Sequence, residues 1–376
     1  MRITKLIKRI GIVIPILFSC SSKIEHSNLQ FENENKNNRM YRMNLKKTGT
    51  KQWNLDSVTI PYFHSAFYNP IDSTLSYISN HNLIQCNLNN TNQTRKSIPF
   101  NLSNFTIKDD TVIGIDYASN RLLFYHDSVA YSKTLPQTAK YSPLPLTGIS
   151  PVITDNNYVS FFGEIAGEPL DEDSINRPVF AHIDRRGNQD TYSLGYPEIY
   201  REANWGGGIL WWVYADYVPD QESYIISFPI SHSLYIYNPA TNEVGSFYAG
   251  SKDISGITAY SNDKTYALTT EESLKFVAET SSYANIFYDP WRKVYYRIAE
   301  FGIPYNEKNK GMHKPISVII LNDKLNKIGE TRINNPGRNF RYGCFVSHLG
   351  LMIPKDTVED LLLYEIYTPE NIPLDR

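Results

Sequence analysis

One local pattern recurs along the chain: a strand that ends on tyrosine, an Asn or Asp, a proline, and a new strand a few residues on. Phe67-Tyr68-Asn69-Pro70 leads into Ile71 to Tyr77, Tyr237-Asn238-Pro239 into Ala240 to Val244, and Phe287-Tyr288-Asp289-Pro290 into Trp291 to Tyr296. The physics is shared: the Asn or Asp side chain bonds its own backbone, proline fixes φ, and the chain reverses into a hairpin. Between Phe63 and Pro369 apolar runs of four to eight residues alternate with turn clusters, while long helical periodicity is nearly absent. The 28 tyrosines raise the aromatic share to 13%, which favours strands. Further hairpins are expected around Asp155-Asn156-Asn157, from Val179–Ile183 into Asp184–Asn188, and from Ser317–Leu321 into Asn322-Asp323-Lys324.

Grouping these strands gives about six units, beginning near His64, Asn101, Ile149, Ile199, Ile254 and Asn339. Four short antiparallel strands per unit at this spacing predict an all-β chain folded as a β-propeller, with six blades. The repeats are degenerate enough to accommodate five or seven, and a sandwich would not need so many units. The last unit, through Leu361–Tyr367, is one strand short, and Tyr41–Leu55 holds strand-like material before the first. An N-terminal strand completing the last blade would join the ends and remove an open edge. One segment departs from the pattern. Thr269–Glu279 reads as a helix with a capping box between Thr269 and Glu272, with Leu274, Val277 and Ala278 on one face, inserted between strands of one blade.

The chain begins differently. Arg2, Lys5, Lys8 and Arg9 precede an apolar run, Ile10–Phe18, of signal-peptide length and too short to span a bilayer. It closes on Leu17-Phe18-Ser19-Cys20, placing a thiol where cleavage would leave it first and ready for a diacylglycerol. Acyl chains contribute about 0.8 kcal/mol per buried methylene, so two or three anchor durably. A plain secretory signal with an incidental cysteine is the blander reading. Ser21–Arg39 is polar and cannot bury a core. The expected organisation is a signal peptide at 1–19, a lipidated Cys20 with a tether over 20–40, and one propeller over 41–376. Cys86 and Cys344 lie in apolar, strand-like stretches and are expected as buried free thiols.

The start, with its relaxed lipobox, resembles lipoproteins of the Bacteroidetes. The stretch Ile286-Phe287-Tyr288-Asp289-Pro290-Trp291-Arg292-Lys293-Val294-Tyr295-Tyr296-Arg297 resembles a hallmark of the family called domain of unknown function 4221. The resemblance implies a six-bladed propeller lipoprotein of the cell envelope, held to the outer membrane and facing the periplasm or the surface. It implies no activity and no site residues. From the residues themselves, Tyr295 and Tyr296 alternate across a strand, and Arg297 can pair with an inter-blade carboxylate or touch a ligand.

The net charge of −2 and the lack of a recurring basic, aromatic-interleaved patch argue against a nucleic-acid partner. No nucleophile elbow, zinc-helix motif, phosphate loop or dinucleotide fingerprint is present, and no cofactor or metal is expected. These absences weigh against an enzyme but leave open an axial site assembled from scattered residues. Three places carry candidate chemistry. In Asn204-Trp205-Gly206-Gly207-Gly208-Ile209-Leu210-Trp211-Trp212, glycines bring backbone close to a ligand while Trp205, Trp211 and Trp212 stack on a sugar face; a tight bend feeding a core strand is the plainer reading. Glu164–Asp173 carries five acids suited to calcium or simply to solvent. His64, His182, His232, His313 and His348 could meet only near an axis. The expected function is non-enzymatic binding of a glycan, a peptide or an envelope protein. The alternatives are a glycan- or lactone-directed hydrolase or lyase, which needs paired acid–base groups in the axial funnel, and a scaffold subunit of an envelope complex.

Overall fold

The computed structural model describes residues 42–372, apart from 136–148, 164–177 and 307–312 and short gaps at 57–58, 60–62, 101, 117, 128, 156, 188, 207, 264–265, 339 and 357–359. The signal peptide, Cys20, the tether and the acidic segment Glu164–Asp173 lie outside the described residues.

The chain is all-β, built of four-stranded antiparallel sheets. After β1 (Met43–Asn54) come β2 (Ala66–Asn69), β3 (Thr74–Ser79), β4 (Asn82–Asn87) and β5 (Gln93–Ser97), paired in chain order. The next sheet is β6 (Asn104–Lys108), β7 (Thr111–Asp116), β8 (Arg121–His126) and β9 (Val129–Thr134). The third is β10 (Ile153–Thr154), β11 (Tyr158–Phe162), β12 (Phe180–Asp184) and β13 (Thr191–Ser193). The fourth is β14 (Tyr214–Val218), β15 (Ser223–Ser227), β16 (Ser233–Asn238) and β17 (Glu243–Tyr248). Helix α1 (Thr270–Glu279) precedes β18 (Ser282–Asp289), β19 (Val294–Glu300), β20 (Ile316–Asn322) and β21 (Lys327–Ile333). A single helical turn, α2 (Phe340–Gly343), precedes β22 (Phe345–Ser347), β23 (Gly350–Lys355) and β24 (Leu361–Asn371).

The last two groups form one eight-stranded sheet through β1. Its two edges are unequal. Against β24, β1 pairs antiparallel along its whole length, from Met43 opposite Asn371 to Asn54 opposite Leu361, with a bulge between Lys47 and Gly49. Against β21 it makes only a parallel contact at Met43 and Gly329. The N-terminal strand therefore completes the C-terminal sheet, as its strand deficit predicted. Gly329 is required at the seam, because a Cβ there would sit 2.2 Å from the Met43 carbonyl oxygen.

The turn pattern is realised as expected. Asp289 Oδ1 accepts from the Trp291 and Arg292 amides at 3.0 Å each, and Asn238 Oδ1 accepts from the Ala240 amide at 2.9 Å. The hallmark stretch adds ties of its own. Asp289, fully buried, accepts from Arg292 Nη1 and from the Tyr296 hydroxyl, both at 3.0 Å, and Arg292 Nη2 reaches the His348 carbonyl in the β22–β23 turn at 3.0 Å. All of β19 is buried, with Tyr296 in one apolar cluster and Tyr295 in another, as alternation across a strand requires.

Two expectations are corrected. Helix α1 has its capping box, with the Thr269 hydroxyl accepting from the Glu272 amide at 3.2 Å and Glu272 Oε2 accepting from the Thr269 amide at 2.8 Å. But it connects two sheets, β17 to β18, rather than decorating one, and it packs through Phe276 and Val277 while Leu274 is exposed. Likewise the fourth and fifth units begin at Tyr214 and Ser282, later than the sequence placed them, because 3-10 turns and the helix fill the intervening chain. Among the described residues no helix is long and apolar enough to cross a membrane. Cys86 and Cys344 are buried and unpaired, in different apolar clusters.

Candidate functional site

The first strands of the sheets gather around one space. β2 touches β6 and β22, β6 touches β10, and β18 touches β14 and β22. Polar side chains link them in sequence. Ser65 Oγ donates to Asn104 Oδ1 at 3.3 Å, Asn104 Nδ2 to the Ser150 carbonyl at 2.8 Å, and Ser150 Oγ to the Val213 carbonyl. Asp216 Oδ2 accepts the Tyr288 amide at 2.8 Å, and Asn285 Nδ2 donates to the Arg341 carbonyl at 2.9 Å. The Tyr68 hydroxyl and His348 Nδ1 share a bond of 3.1 Å. These bonds satisfy polar groups that the converging strands would otherwise strand away from water.

Inside this girdle is a cavity of about 330 Å³, lined by residues from all six of these strands or the turns beside them. Its walls are largely aromatic: Phe67, Tyr68, Phe105, Tyr217, Phe287, Tyr288, Tyr342 and Phe345. Pro70, Pro219, Pro290 and Trp291 line the end near the hairpin turns. Trp291 is 43% exposed, with its ring 6.4 Å from that of Tyr68, which itself stacks on Phe345 at 5.2 Å.

Among the described lining residues Asp216 is the one carboxylate and Arg341 the one cation. Burial pushes the Asp216 carboxyl up to about 7, held back by amide hydrogen bonds from Tyr288 and Tyr217. Arg341 forms a two-pronged pair with Glu300, Nε to Oε1 at 2.6 Å and Nη2 to Oε2. Burial opposes the guanidinium charge, but Glu300 more than offsets it and raises its pKa. Behind them Lys314, 1% exposed, lies 3.9 Å from Glu300 and donates to the Thr280 carbonyl at 2.8 Å. Burial lowers Lys314 to about 8.

The candidates singled out in the sequence lie mostly elsewhere. Trp205 and Trp211 are 5% and 3% exposed, in the core between sheets; Trp205 Nε1 donates to the Ile199 carbonyl at 3.0 Å, and Trp211 packs on Tyr196 and Tyr200. The close backbone approach at the glycines is filled from within: Gly206 has φ +75°, and a Cβ there would lie 2.4 Å from the Phe276 ring of α1. Trp212 is half-buried against Tyr342, 5.8 Å between rings, and so borders the cavity wall at the Arg341 end.

Arg297 is fully buried, meets no carboxylate among the described residues and does not line the cavity, so neither the inter-blade ion pair nor a ligand contact there, its two readings from sequence, is seen. Its Nε donates to Ser227 Oγ at 3.1 Å, Nη1 to the His232 and Ala249 carbonyls at 2.8 and 3.0 Å, and Nη2 to the Ser231 carbonyl at 2.6 Å. Its guanidinium lies 3.7 Å from the Tyr283 ring centroid. The backbone carbonyls of the β15–β16 turn, with that of Ala249 just after β17, supply the counter-dipoles that a carboxylate would otherwise provide.

The five histidines do not converge. His182 stacks on Tyr158 and bonds Ser160 at 2.6 Å, His232 bonds the Tyr283 hydroxyl at 2.7 Å, and His313 lies 3.3 Å from Asp356. His64 and His348 flank Tyr342 and Tyr68 behind the cavity wall. Among the described residues no three His, Cys, Asp or Glu side chains group as a metal site requires. Asp216, Asn285 and Arg341 were missed in the sequence. A signal existed for two of them: each is a polar residue inside the apolar first strand of a unit, in Tyr214-Ala215-Asp216 and Ala284-Asn285-Ile286.

A family model described as Domain of unknown function (DUF4221) matches residues 145–332, half of the chain. The chain belongs to the DUF4221 family. A solved structure of a DUF4221 member from Bacteroides vulgatus ATCC 8482 overlays with a TM-score of 0.74 at 18% identity, covering 89% of this chain and 100% of that one, and shows that the two share a fold. Looser overlays include a gluconolactonase from Xanthomonas campestris (TM-score 0.47, 8% identity, 88% of this chain and 92% of that one). Another is a structural genomics protein of unknown function from Bacteroides thetaiotaomicron (TM-score 0.43, 11% identity, 87% and 76%). No curated protein matches the sequence. The hallmark stretch of this DUF4221 chain falls inside the matched interval, and its Asp289, Arg292 and Arg297 make ties within and between sheets.

Proposed function

We propose that this protein is a lipid-anchored envelope protein, held to the outer membrane through Cys20, whose sheets form a six-bladed propeller that binds a small ligand in its axial cavity. Six groups of strands, each contributing its first strand to one hydrogen-bonded girdle, support the ring. The observation that carries the binding reading is the cavity itself. It is concave, mostly apolar and aromatic, and holds a few convergent polar groups, the composition of a ligand pocket rather than of a filled core.

The carboxylate Asp216, kept where burial disfavours its charge, is a cost to stability that a binding role would justify. Glycan hydrolysis asks for two facing acid–base groups. Asp216 stands without a second carboxylate or a histidine among the described lining residues, so binding is favoured over hydrolysis.

The test uses the full-length protein extracted from membranes in detergent. Binding of short peptides and neutral oligosaccharides is followed by calorimetry and by tryptophan fluorescence, with an Ala215→Trp variant that fills the cavity. Binding by the parent and its loss in the variant are expected. If both titrate alike, the cavity is not the site. Incorporation of an alkyne-bearing fatty acid, lost on Cys20→Ala, tests the anchor.

A further inference from the structure

The cavity is bipolar along its length. Strand β18 runs beside it, with Asn285 near one end and Tyr288 near the other. The Tyr288 amide fixes Asp216 at the second end, while Asn285 Nδ2 donates to the Arg341 backbone carbonyl at the first. Three residues of strand separate the two, about 10 Å at roughly 3.3 Å per residue. A bulge between Tyr283 and Ile286 turns Asn285 out of register, the usual device for re-aiming a side chain.

Both ends carry unmet bonding capacity. Asn285 is 3% exposed and lines the cavity, yet its Oδ1 has no hydrogen-bond partner among the described residues. Arg341 gives Nε and Nη2 to Glu300 and presents no bond from Nη1 among them. Lys314 adds a second cation to Glu300, so the three-residue cluster carries a net positive charge. At the far end Asp216 spends one oxygen on each of two amides and keeps its remaining lone pairs.

Resting on the reading of the cavity as a ligand site, we propose that the ligand is a short free peptide of two or three residues. Its terminal ammonium sits at Asp216, its terminal carboxylate at Arg341, and its last amide N–H at Asn285 Oδ1. Extended peptide covers about 3.3–3.6 Å per residue, so two or three residues span about 7–10 Å, comparable to the stretch of β18 from Asn285 to Tyr288. The aromatic walls receive the side chains. A neutral glycan would leave the Asp216 carboxylate without a counter-charge and the net positive charge of the Arg341–Glu300–Lys314 cluster unbalanced, which selects against it. A simple amine would satisfy Asp216 and leave Arg341 Nη1 and Asn285 Oδ1 unmet.

The experiment titrates the full-length protein in detergent with Ala-Phe-Ala, its N-acetylated form, its C-terminal amide, and maltotriose. The free tripeptide should bind, and each blocked form should bind at least tenfold more weakly, since each loses one charge-assisted contact. Asp216→Asn should weaken the free peptide and leave the N-acetylated one unchanged. The amide removes the Arg341 contact chemically, so no variant that orphans buried Glu300 is needed. If both blocked forms bind as well as the free peptide, the bipolar assignment is wrong. If maltotriose binds and the peptides do not, the cavity remains a ligand site and the peptide proposal fails. If no probe binds, both readings fall.

Discussion

Arg297→Met measures what a buried guanidinium contributes when its partners are carbonyls, a hydroxyl and an aromatic ring rather than a carboxylate. Methionine keeps an unbranched stem of similar reach and removes the fork. The His232 carbonyl retains a second donor, the Ala249 amide at 2.9 Å, so the carbonyls of Ser231 and Ala249 bear the loss. A buried acceptor left unmet costs about 1–3 kcal/mol, giving about 2–6 for the two. The lost stacking on Tyr283 adds about 1–2 kcal/mol. Against this the variant no longer strips a cation of water, a relief of several kcal/mol. The balance is a destabilisation of about 3 kcal/mol. An unfolding entropy of about 2.1 cal/mol/K per residue over about 330 residues makes that a fall in Tm of roughly 4 °C.

Thermal melts and urea midpoints of parent and variant read the change directly. Arg297→Lys should be at least as harmful, because it keeps the buried charge while its donors radiate from one atom and cannot reach carbonyls spaced for a fork. A methionine variant within about 1 kcal/mol of the parent, or a harmless lysine, would refute the account of Arg297 as a staple between sheets.

Two buried groups oppose each other in pH. Burial and Arg297 lower His232 to about 4, so the unfolded chain takes up its proton first and stability is lost as pH falls from about 6.5 towards 4. Asp216, raised to about 7, keeps its proton after the unfolded chain has released it, so stability is lost as pH rises from about 4 to 7. Allowing for partial exposure, each is worth about 2 kcal/mol. Relative to the parent, Asp216→Asn should therefore gain stability as pH rises from 4 to 7, and His232→Gln should lose its advantage over the same range; urea midpoints parallel to the parent for both would contradict this. Gly329→Ala drives a Cβ into the Met43 carbonyl and should cost at least 2 kcal/mol, with hydrogen exchange accelerated first in β1 and β24. Cys86, whose thiol burial raises to about 12, and Cys344, raised further, should both resist a thiol reagent in the native protein and react fully in denaturant; fast native labelling would show that the sheets open locally.

The hairpin grammar was legible because its causes are local. Asp289 binds the amides that follow it whether or not a second sheet is present, and the capping box of α1 is closed within four residues. Alternation placed Tyr295 and Tyr296 on opposite faces, and the missing strand of the last unit foretold the pairing of β1 with β24. The candidate site was far less legible. Tryptophans beside glycines look like a sugar platform in sequence, yet Phe276 of a helix about seventy residues on fills the space that Gly206 leaves. The groups that do face the cavity are single polar residues in separate strands, with no spacing between them to read.

By itself, then, the sequence determined the strands, the turns that join them and the strand that closes the last sheet, since these depend on backbone preferences and side-chain alternation within a few residues. Only the tertiary structure decided which side chains meet at the centre, because Asp216, Asn285 and Arg341 come from three different groups of strands or the turns before them. It also decided that Arg297 would bond carbonyls rather than a carboxylate, because the turn supplying them belongs to a neighbouring sheet whose position no local rule fixes.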